Sequence, residues 1–555
     1  MPPISLRKLV RLSFALDIQP FVYLSFVCIY IFFLNPWGND LWFHIHRLDD
    51  IKGQLEGGRL VAYFSENVAG GRGLPVYAFY SQWVYWLPFL LTQLGVSLAT
   101  SLKLVFCFFM LSSAFGFYRL LQLHVADEIA KVGLLLYVTS NYFLGDIFAR
   151  AAFAEFLSYS LFPWVLYSIH RYSINGNSVR GLYATLAATL MIIFHPLSFM
   201  NVGLAMIVYA LYILWHHPQP IIRLGKLAPV FVLTLALTAF FWLPAVIERQ
   251  YVMGAEAMPV DISDTFLGIR RYLNVTAMAN LGLTLTWTLI LSLILHFFSR
   301  KIRATKVDPS AALLIIGIGV YVFLTLPYSR FVWNEVPLIS SNTFVWRLVF
   351  PLTVLAIIFV CITARAFSAY PLAQRVLTAV AILSVAQGVV FINWQSHEYL
   401  SIHRITEEQV EENLAKESDR RSGWGIDEYR PNPRNVEHFP ETCHEFKEIS
   451  ASDPLEVFFE VEEGQAGQCY RWRRYWNVRY VATINSNPVP IYRNNEGEIV
   501  LAPGGRYGKA TIRLEYPGYL VLARSISVAG VVVLVCWLVY LAYQSNVHSS
   551  LRRTT

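Results

Sequence analysis

The sequence is poor in charged residues. Only 15% of its 555 residues are Asp, Glu, Lys or Arg, whereas 55% are hydrophobic, and the mean hydropathy is +0.46. Soluble domains carry about 25% charged residues. Many apolar runs reach about 17–25 residues, long enough to cross a hydrocarbon core about 30 Å thick. Because these runs are continuous rather than alternating, they predict a polytopic α-helical membrane protein and exclude a transmembrane β-barrel.

Common nucleotide- and metal-binding motifs are also missing. The sequence has no GxGxxG after a strand, no Walker A loop, no CxxC pair and no HExxH. The net charge of +7 does not indicate a nucleic-acid partner, because the basic residues fall in short loops, as the control of membrane topology requires. The groups left for chemistry are carboxylates, imidazoles and guanidiniums.

Basic residues recur in every second connection between the apolar runs. Positively charged loops stay in the cytoplasm, so this alternation predicts twelve spans with both termini in the cytoplasm. Met1 to Pro20 forms a basic lead-in without a cleavage site, so the first span is expected to remain in the protein. The predicted spans lie near residues 20–37, 100–119, 128–146, 155–170, 181–198, 199–215, 227–246, 275–298, 311–327, 345–364, 375–393 and 522–543.

One further apolar segment does not fit the alternation. Residues 76–95 (VYAFYSQWVYWLPFLLTQLG) are apolar enough to span, but a crossing there would move every later basic loop to the other side. Tyr and Trp are enriched at membrane interfaces. We therefore expect an interfacial or re-entrant element of the first external loop.

A long polar stretch precedes the last apolar run. Residues 394–521 open with a charged, helix-like region at Glu407 to Arg421 and continue through short β-like runs separated by Asn-Pro and Pro-Gly-Gly turns. The pattern predicts an external domain, helical and then β-sandwich-like. It would follow a transmembrane domain at 1–393, with a large external loop at 38–99, and precede a last span and cytoplasmic tail at 522–555.

The six cysteines divide between two settings. Four lie in apolar runs, where they are expected to act as small hydrophobic residues, and only Cys443 and Cys469 lie in the polar stretch. If that stretch is external, its compartment permits disulfides, so a Cys443–Cys469 bond is predicted.

The richest group of candidate catalytic residues follows the first span. Asp40, His44 and Arg47 are spaced i, i+4, i+7 and share one face of a helix. An acid, an imidazole and a guanidinium aligned at a bilayer surface indicate an enzyme. The alternative is a solvated interfacial helix with surface ion pairs, in which Asp40 merely favours the helix N-terminus.

Other polar groups reach the same external side in the charge-derived topology. Asp146 and Arg150 are i, i+4 neighbours that could simply pair, while Glu155 begins a span, where an acid is costly unless it faces a cavity. His195 lies at a span end, where a lone imidazole is often only a satisfied polar group. Arg347 enters a span from outside, placed to meet a phosphate or to snorkel.

Glu248 and Arg249 form the last of these external groups, just outside a span.

Together these motifs resemble the GT-C superfamily of integral-membrane glycosyltransferases, and most closely its bacterial members described as pyruvoyl-tetrahydropterin-synthase-related membrane proteins. The family's G-x-D-x3-H-x2-R signature is matched by Gly38, Asp40, His44 and Arg47. Its glycine- and proline-rich aromatic stretch is matched loosely by GGRGLPVYAFY, which ends at Tyr80.

Later motifs of the family follow in the same order. They are matched by Arg150, Ala152, Ala154 and Glu155, then by His195-Pro196, Phe344 to Arg347, and Tyr516-Pro517-Gly518 before the last span. The departures are Asn39, where an aromatic or small residue is common, and the loosened glycine stretch. These departures leave the sugar unpredicted.

The resemblance implies transfer of a sugar from a polyprenyl-phosphate donor to an external glycan, lipid or protein acceptor. Asp40 would be the general base of an inverting reaction. The residues implied in binding the donor phosphate or substrate are His44, Arg47, Tyr80, Arg150, Glu155, His195 and Arg347. A divalent cation, Mg²⁺ or Mn²⁺, held by Asp40, His44 and Glu155 is an additional expectation.

The expected location is the bacterial inner membrane, with the site on the periplasmic side. Two other functions remain open: a flippase or transporter, and a ligase or polymerase of lipid-linked glycans. A transporter would place its ionisable residues at mid-membrane. Here they cluster at span ends, which favours an enzyme at the membrane surface.

Overall fold

The fold is mostly helical, with a β domain before the last helix. The computed structural model describes residues 20, 22–31, 40–65, 68–69, 71–176, 178–253, 261–269, 271, 280–298, 308–336, 344–400, 429–432, 443–445, 450–453 and 455–554. The predicted helical region at 407–421 and the residues Gly38 and Asn39 of the first motif lie outside these ranges.

The helices follow the predicted apolar runs. Within the described residues, each predicted span overlaps one helix or two consecutive helices. In chain order the helices are α1 (Val22–Ile31), α2 (Leu41–Glu56), α3 (Val76–Phe79), α4 (Trp86–Gln93), α5 (Leu98–Leu121), α6 (Asp127–Val138), α7 (Asn141–Phe148), α8 (Phe153–Asn175), α9 (Ser178–Phe194), α10 (Pro196–Leu214), α11 (Pro220–Gly225), α12 (Ala228–Leu237), α13 (Ala239–Glu248), α14 (Leu283–Phe298), α15 (Ala311–Thr325), α16 (Arg330–Glu335), α17 (Val349–Phe367), α18 (Pro371–Leu400) and α19 (Gly518–Thr554).

Fewer helices than predicted spans are long enough to cross a membrane by themselves. Within the described ranges there are six, or seven if the pair Ala311–Thr325 and Pro327–Glu335, bent by 85°, counts as one. Several predicted spans are broken by polar residues. Ser140 precedes α7, and Thr238 separates α12 from α13, where its hydroxyl donates to the Thr234 carbonyl (2.9 Å). The total of twelve spans therefore stays a prediction.

The segment 76–95 does not form a continuous span. It contains α3, the 3₁₀ turn Trp83–Tyr85 and α4. The eight residues of α4 rise only about 12 Å, far less than a hydrocarbon core of about 30 Å. An interfacial or re-entrant position for this segment stays a prediction.

Helix α17 lies at the centre of the bundle and α19 at its edge. The most apolar window of Val345–Phe367 is 94% buried, whereas that of α19 is 11% buried. The mainly apolar side chains of α19 thus face outward, as suits a helix surrounded by lipid.

The described strands form two sheets. In chain order they are β1 (His444–Glu445), β2 (Ser450–Asp453), β3 (Glu456–Val461), β4 (Tyr470–Tyr475), β5 (Tyr480–Ile484), β6 (Asn487–Val489), β7 (Ile491–Arg493), β8 (Glu498–Leu501) and β9 (Gly508–Leu514). One sheet has the order β1-β4-β8-β7 and the other β2-β3-β9-β5-β6. Alternate residues along β3 and β5 are buried, as a sheet packed on one face requires.

The small β domain before the last helix is confirmed, and so is its disulfide. Cys443 and Cys469 are bonded, and the bond joins the start of β1 to the residue before β4. The remaining cysteines, Cys28, Cys107, Cys361 and Cys536, are free.

Candidate active site

Helix α2 carries the first candidate residues. Leu41, Ile45, Leu48 and Ile51 recur at three- and four-residue intervals and are buried, which fixes one face of the helix against the bundle. Asp40 occupies the N-cap position, but its side chain makes no capping hydrogen bond. Its carboxylate therefore does not cap the helix through a hydrogen bond.

The turn between α7 and α8 meets Asp40 through its backbone. The Asp40 N–H donates to the Arg150 carbonyl (2.9 Å). The next residue, Ala151, has φ of 52°, a left-handed conformation that non-glycine residues seldom adopt. Such strain costs on the order of 1 kcal/mol and often marks a functional site. The tight turn places Arg150 between the acids of α7, α8 and the N-cap of α2.

Arg150 is the centre of a network of ion pairs. Its Nη1 lies 2.9 Å from Asp146 Oδ1 and 3.0 Å from Glu155 Oε1, and its Nη2 lies 3.5 Å from Asp40 Oδ2. The pairing of Asp146 with Arg150 is therefore real, but it is one part of a larger cluster.

Arg347 extends the network from the other side. Its Nε lies 2.9 Å from Glu155 Oε2, and the Tyr142 hydroxyl donates to Glu155 Oε1 (2.6 Å). The Tyr159 hydroxyl donates to the Arg347 backbone carbonyl (3.3 Å) and holds this part of the chain. Glu155 is therefore shared by two guanidiniums, which offsets the cost of burying its charge.

Exposure separates Asp40 from the other charged members of the cluster. Its side chain is 38% exposed, compared with 11% for Arg150 and Arg347 and 3% for Asp146 and Glu155. Within the described residues, Asp40 is thus the most exposed carboxylate of the ion-pair network, and its ion pair with Arg150 is the longest of the four distances.

The surroundings adjust the proton affinity of Asp40. Burial of the site raises the pKa of this carboxyl above its usual range, and the Arg150 guanidinium opposes that rise. A carboxylate with a raised pKa is a stronger base, as proton abstraction from a hydroxyl requires.

His44 has a structural role in this arrangement. The Phe153 N–H donates to its Nε2 (3.1 Å), so in the neutral ring Nδ1 carries the proton and donates to the Tyr85 hydroxyl (2.8 Å). Burial lowers the pKa of His44 well below its usual range and favours this neutral form. The imidazole therefore fastens α2 to the start of α8.

Arg47 and Tyr80 lie beside the network and contact each other. The Arg47 guanidinium carbon lies 3.3 Å from the Phe43 ring centroid and 3.8 Å from that of Tyr80. Cation–π contacts of this kind hold a buried guanidinium among aromatic rings. Arg47 is therefore placed to orient Tyr80.

His195 approaches from the N-terminus of α10. Its Nδ1 accepts from the Ser198 N–H (3.2 Å), which leaves the proton on Nε2 in the neutral ring. The ring centroid lies 6.4 Å from that of Tyr80. Within the described residues, Nε2 has no hydrogen-bond partner and is available as a donor to a substrate.

The predicted metal ligands do not form a cation site. Both ring nitrogens of His44 are hydrogen-bonded, and the oxygens of Glu155 face Arg150 and Arg347. Across the described part of the chain, no three His, Cys, Asp or Glu side chains come together as ligands. Arg150 and Arg347 place positive charge where a divalent cation was expected.

One residue of the network, Tyr142, lacked a sequence signal, and one predicted group lies elsewhere. Asp146 was interpreted only as a partner of Arg150, and Tyr142 had no motif at all. Glu248 instead forms a separate buried ion pair with Arg479 of the β domain (2.5 Å). Arg249 lies in the short 3₁₀ turn after α13.

Several solved structures are similar to this chain at low sequence identity. A structure of the arabinofuranosyltransferase AftD from mycobacteria is 16% identical, with a TM-score of 0.43, over 68% of this chain and 27% of that chain. A mutant of the same enzyme is 14% identical, with a TM-score of 0.44, over 68% and 28%. The apo oligosaccharyltransferase of Archaeoglobus fulgidus is 11% identical, with a TM-score of 0.39, over 76% and 62%.

The chain spans about a quarter of the length of AftD, since the match covers 27% of that enzyme. No protein of curated function matches the sequence. Residues 77–400, more than half of the chain, match the family of membrane proteins described as 6-pyruvoyl-tetrahydropterin synthase related. This chain therefore belongs to the 6-pyruvoyl-tetrahydropterin synthase related family of membrane proteins.

Proposed function

We propose that this protein is a membrane glycosyltransferase that moves a sugar from a polyprenyl-phosphate donor to an external glycan, lipid or protein acceptor. The observation that carries the proposal is the position of Asp40. It is the accessible end of an otherwise buried chain of ion pairs that runs through Arg150 and Glu155 to Arg347. The motifs that resemble GT-C enzymes supply these same residues.

The donor's lipid tail constrains where the reaction takes place. The tail stays in the bilayer, so the anomeric carbon and the phosphate lie at headgroup depth. Arg347, at the start of the central helix region Val345–Phe367, is placed for such a phosphate. Its Nε pairs with Glu155, and its terminal nitrogens have no ion pair within the described ranges. A guanidinium of this kind stabilises charge on the departing phosphate.

The chemical step uses Asp40 as a general base. The acceptor hydroxyl oxygen attacks the anomeric carbon while its proton passes to the Asp40 carboxylate. The bond from the anomeric carbon to the phosphate oxygen breaks, and polyprenyl phosphate leaves with the bonding electrons. Attack from the face opposite the phosphate inverts the anomeric centre.

Arg150 links the base to the rest of the site. Its contact with Asp40 (3.5 Å) is long enough to leave the carboxylate reactive and short enough to orient it. His195 Nε2 and the Tyr80 ring, on the same side of α2, are proposed to contact the sugar or the phosphate. A divalent cation has no ligand set among these residues, so no step is assigned to one.

The proposed location is the bacterial inner membrane, with both termini in the cytoplasm and the site outside. This assignment is supported by the alternation of basic loops. The Cys443–Cys469 disulfide fits the same side, because such bonds persist in oxidising compartments.

The test is transfer by the purified protein in liposomes. Polyprenyl-phosphate sugars of several kinds are supplied with cell-envelope glycans as acceptors, and products are identified by mass. Appearance of a single added sugar with inverted configuration supports the proposal. Movement of intact lipid-linked glycan across the bilayer without sugar transfer would instead identify a flippase, and transfer of whole glycan chains would identify a ligase or polymerase.

A further inference from the structure

The first external loop inserts into the β domain. Phe64 is almost completely buried, and it belongs to the hydrophobic core of the β domain together with Val457, Phe459 and Ile512. Its ring centroid lies 5.7 Å from that of Tyr480. An aromatic side chain from the loop that follows α2 therefore completes the core of a domain formed by the C-terminal part of the chain.

The neighbouring residue, Tyr63, joins a buried ion pair. Its hydroxyl donates to Glu248 Oε2 (2.6 Å), and Glu248 Oε1 accepts from Arg479 Nε (2.8 Å) and from the Tyr519 hydroxyl (2.8 Å). The Arg479 guanidinium carbon also lies 3.6 Å from the Tyr63 ring centroid. Four separate parts of the chain meet here: the first loop, the end of α13, the β domain and the start of α19.

The backbone of the same segment holds the helices of the active site. Gln54, near the end of α2, donates through Nε2 to the Phe64 carbonyl (2.9 Å). The Tyr77 N–H, in α3, donates to the Tyr63 carbonyl (3.2 Å). Residues 62–65 are here called the anchor segment. Its Tyr63 and Phe64 side chains contact the β domain, and the carbonyls of the same two residues accept from α2 and α3.

The anchor segment fixes the far end of α2. At the near end, the Asp40 N–H is hydrogen-bonded to the Arg150 carbonyl. Gln54 lies fourteen residues further along, a distance of about 21 Å in an α-helix. A helix held at both ends has a defined tilt and rotation, so the direction of the Asp40 carboxylate depends on the attachment of Gln54 to the anchor segment.

We propose that the β domain is a positioning element of the active site, acting through the anchor segment. In this view, which rests on the proposed function for its kinetic consequences only, Tyr63, Phe64, Glu248 and Arg479 are positioning residues that never touch the substrate. They keep α2 and Tyr80 in a fixed position relative to Arg150. A detachable glycan-binding module would not take one of its core residues from the loop that follows α2.

The test compares Phe64→Ala with Phe459→Ala in the full-length protein in nanodiscs. Phe459, in β3, is about equally buried in the same core and contacts the Tyr470 ring, so Phe459→Ala is a matched control that removes a core ring without altering a residue of the anchor segment. Hydrogen exchange of the amides of α2 is measured without substrate. Phe64→Ala is expected to speed exchange in α2 and at Tyr80, while Phe459→Ala speeds exchange in the β domain only. Equal exchange in α2 for both variants and the native protein would overturn the proposal.

A second variant with a smaller change, and its own control, is used if Phe64→Ala fails to fold. Tyr63→Phe removes only the hydroxyl that donates to Glu248, and Glu515→Gln alters an exposed pair with Arg513 (3.0 Å) as its control. Tyr63→Phe is expected to lower kcat with KM for the donor unchanged, by on the order of 10- to 100-fold, since misplacement of about 1 Å has such effects. A rise in KM at constant kcat would contradict a positioning role.

The two proposals fail separately. If α2 exchanges faster in Phe64→Ala and the native protein transfers no sugar, the positioning proposal stands and the proposed function falls. If the native protein transfers sugar and neither α2 exchange nor kcat responds to the anchor variants, the proposed function stands and the positioning proposal falls.

Discussion

Asp40 and Arg150 contact each other twice across 110 residues of sequence. The Asp40 N–H donates to the Arg150 carbonyl (2.9 Å), and Asp40 Oδ2 lies 3.5 Å from Arg150 Nη2. The backbone contact fixes the start of α2, and the side-chain contact sets the direction of the carboxylate. The turn between α7 and α8, which contains Arg150, therefore contacts both the backbone and the side chain of the proposed base.

The activity is expected to depend on pH through Asp40. Burial raises the pKa of this carboxyl, so the base is lost to protonation at a higher pH than for an ordinary aspartate, whose pKa is about 3.9. Because Arg150 opposes the rise, Arg150→Gln should move the acidic limb of kcat/KM to higher pH. Arg150→Lys keeps the charge and should leave the limb near its native position. A limb that shifts to lower pH in Arg150→Gln would contradict the electrostatic account.

Arg347→Lys is expected to slow transfer by about 10²–10³-fold, the effect of losing one transition-state donor. Lysine keeps the positive charge but cannot contact Glu155 and a phosphate through one planar group. The control is Arg330→Lys, an exposed position in α16. The measurement is the initial rate of sugar transfer at saturating donor. A native rate in Arg347→Lys would contradict a role for Arg347 in stabilising the departing phosphate.

His44→Phe is expected to reduce stability rather than to remove a metal. The variant keeps a ring but removes one hydrogen bond of the Tyr85 hydroxyl and leaves the Phe153 N–H without its His44 partner, at a cost of about 1–3 kcal/mol for a buried unsatisfied group. Thermal unfolding in detergent measures the loss, with His46→Phe on the same helix as control. A fully stable His44→Phe variant that has lost a metal-stimulated rate would instead make His44 a ligand.

Topology is tested by cysteine labelling at Leu94, which follows α4 and is 80% exposed. With the four free cysteines replaced by alanine, Leu94→Cys should react with an impermeant maleimide from outside the cell. Lys226→Cys, in a basic loop, should react only after the membrane is permeabilised. The opposite pattern would reverse the assigned sides and separate the proposed site from external acceptors.

Local sequence patterns were sufficient for much of the fold. Long apolar runs located the helices, since burial in lipid demands them, and short β-like runs between turn signals indicated the β domain. The segment 76–95 is divided into short helices, and its expected interfacial position rests on loop charges, which constrain topology globally. The Cys443–Cys469 bond followed from composition, because those two alone lie in the polar stretch.

The candidate site was predicted in part for a similar reason. Asp40, Arg150, Glu155 and Arg347 sit at helix ends, where charge in an apolar context is visible in the sequence. Their order along the network could not be predicted, because it depends on the left-handed turn at Ala151.

The anchor segment had no sequence signal at all. Phe64 is an ordinary aromatic residue in a loop, and its place in the β core arises from a contact over about 400 residues. The ion pair of Glu248 with Arg479, 231 residues apart, is equally invisible to local patterns. His44 was assigned to substrate and metal binding because the sequence of a helical repeat does not distinguish an exposed imidazole from a buried one.

The most direct test of the central claim is the rate of sugar transfer by Asp40→Asn in liposomes. Asparagine has nearly the same shape but cannot accept the hydroxyl proton, so transfer should fall by about 10²–10⁴-fold, the contribution of a general base. Thermal unfolding should remain native-like, and Asp49→Asn, exposed on the same helix, should retain native activity. A folded Asp40→Asn protein that transfers sugar at the native rate would contradict the assignment of Asp40 as the base.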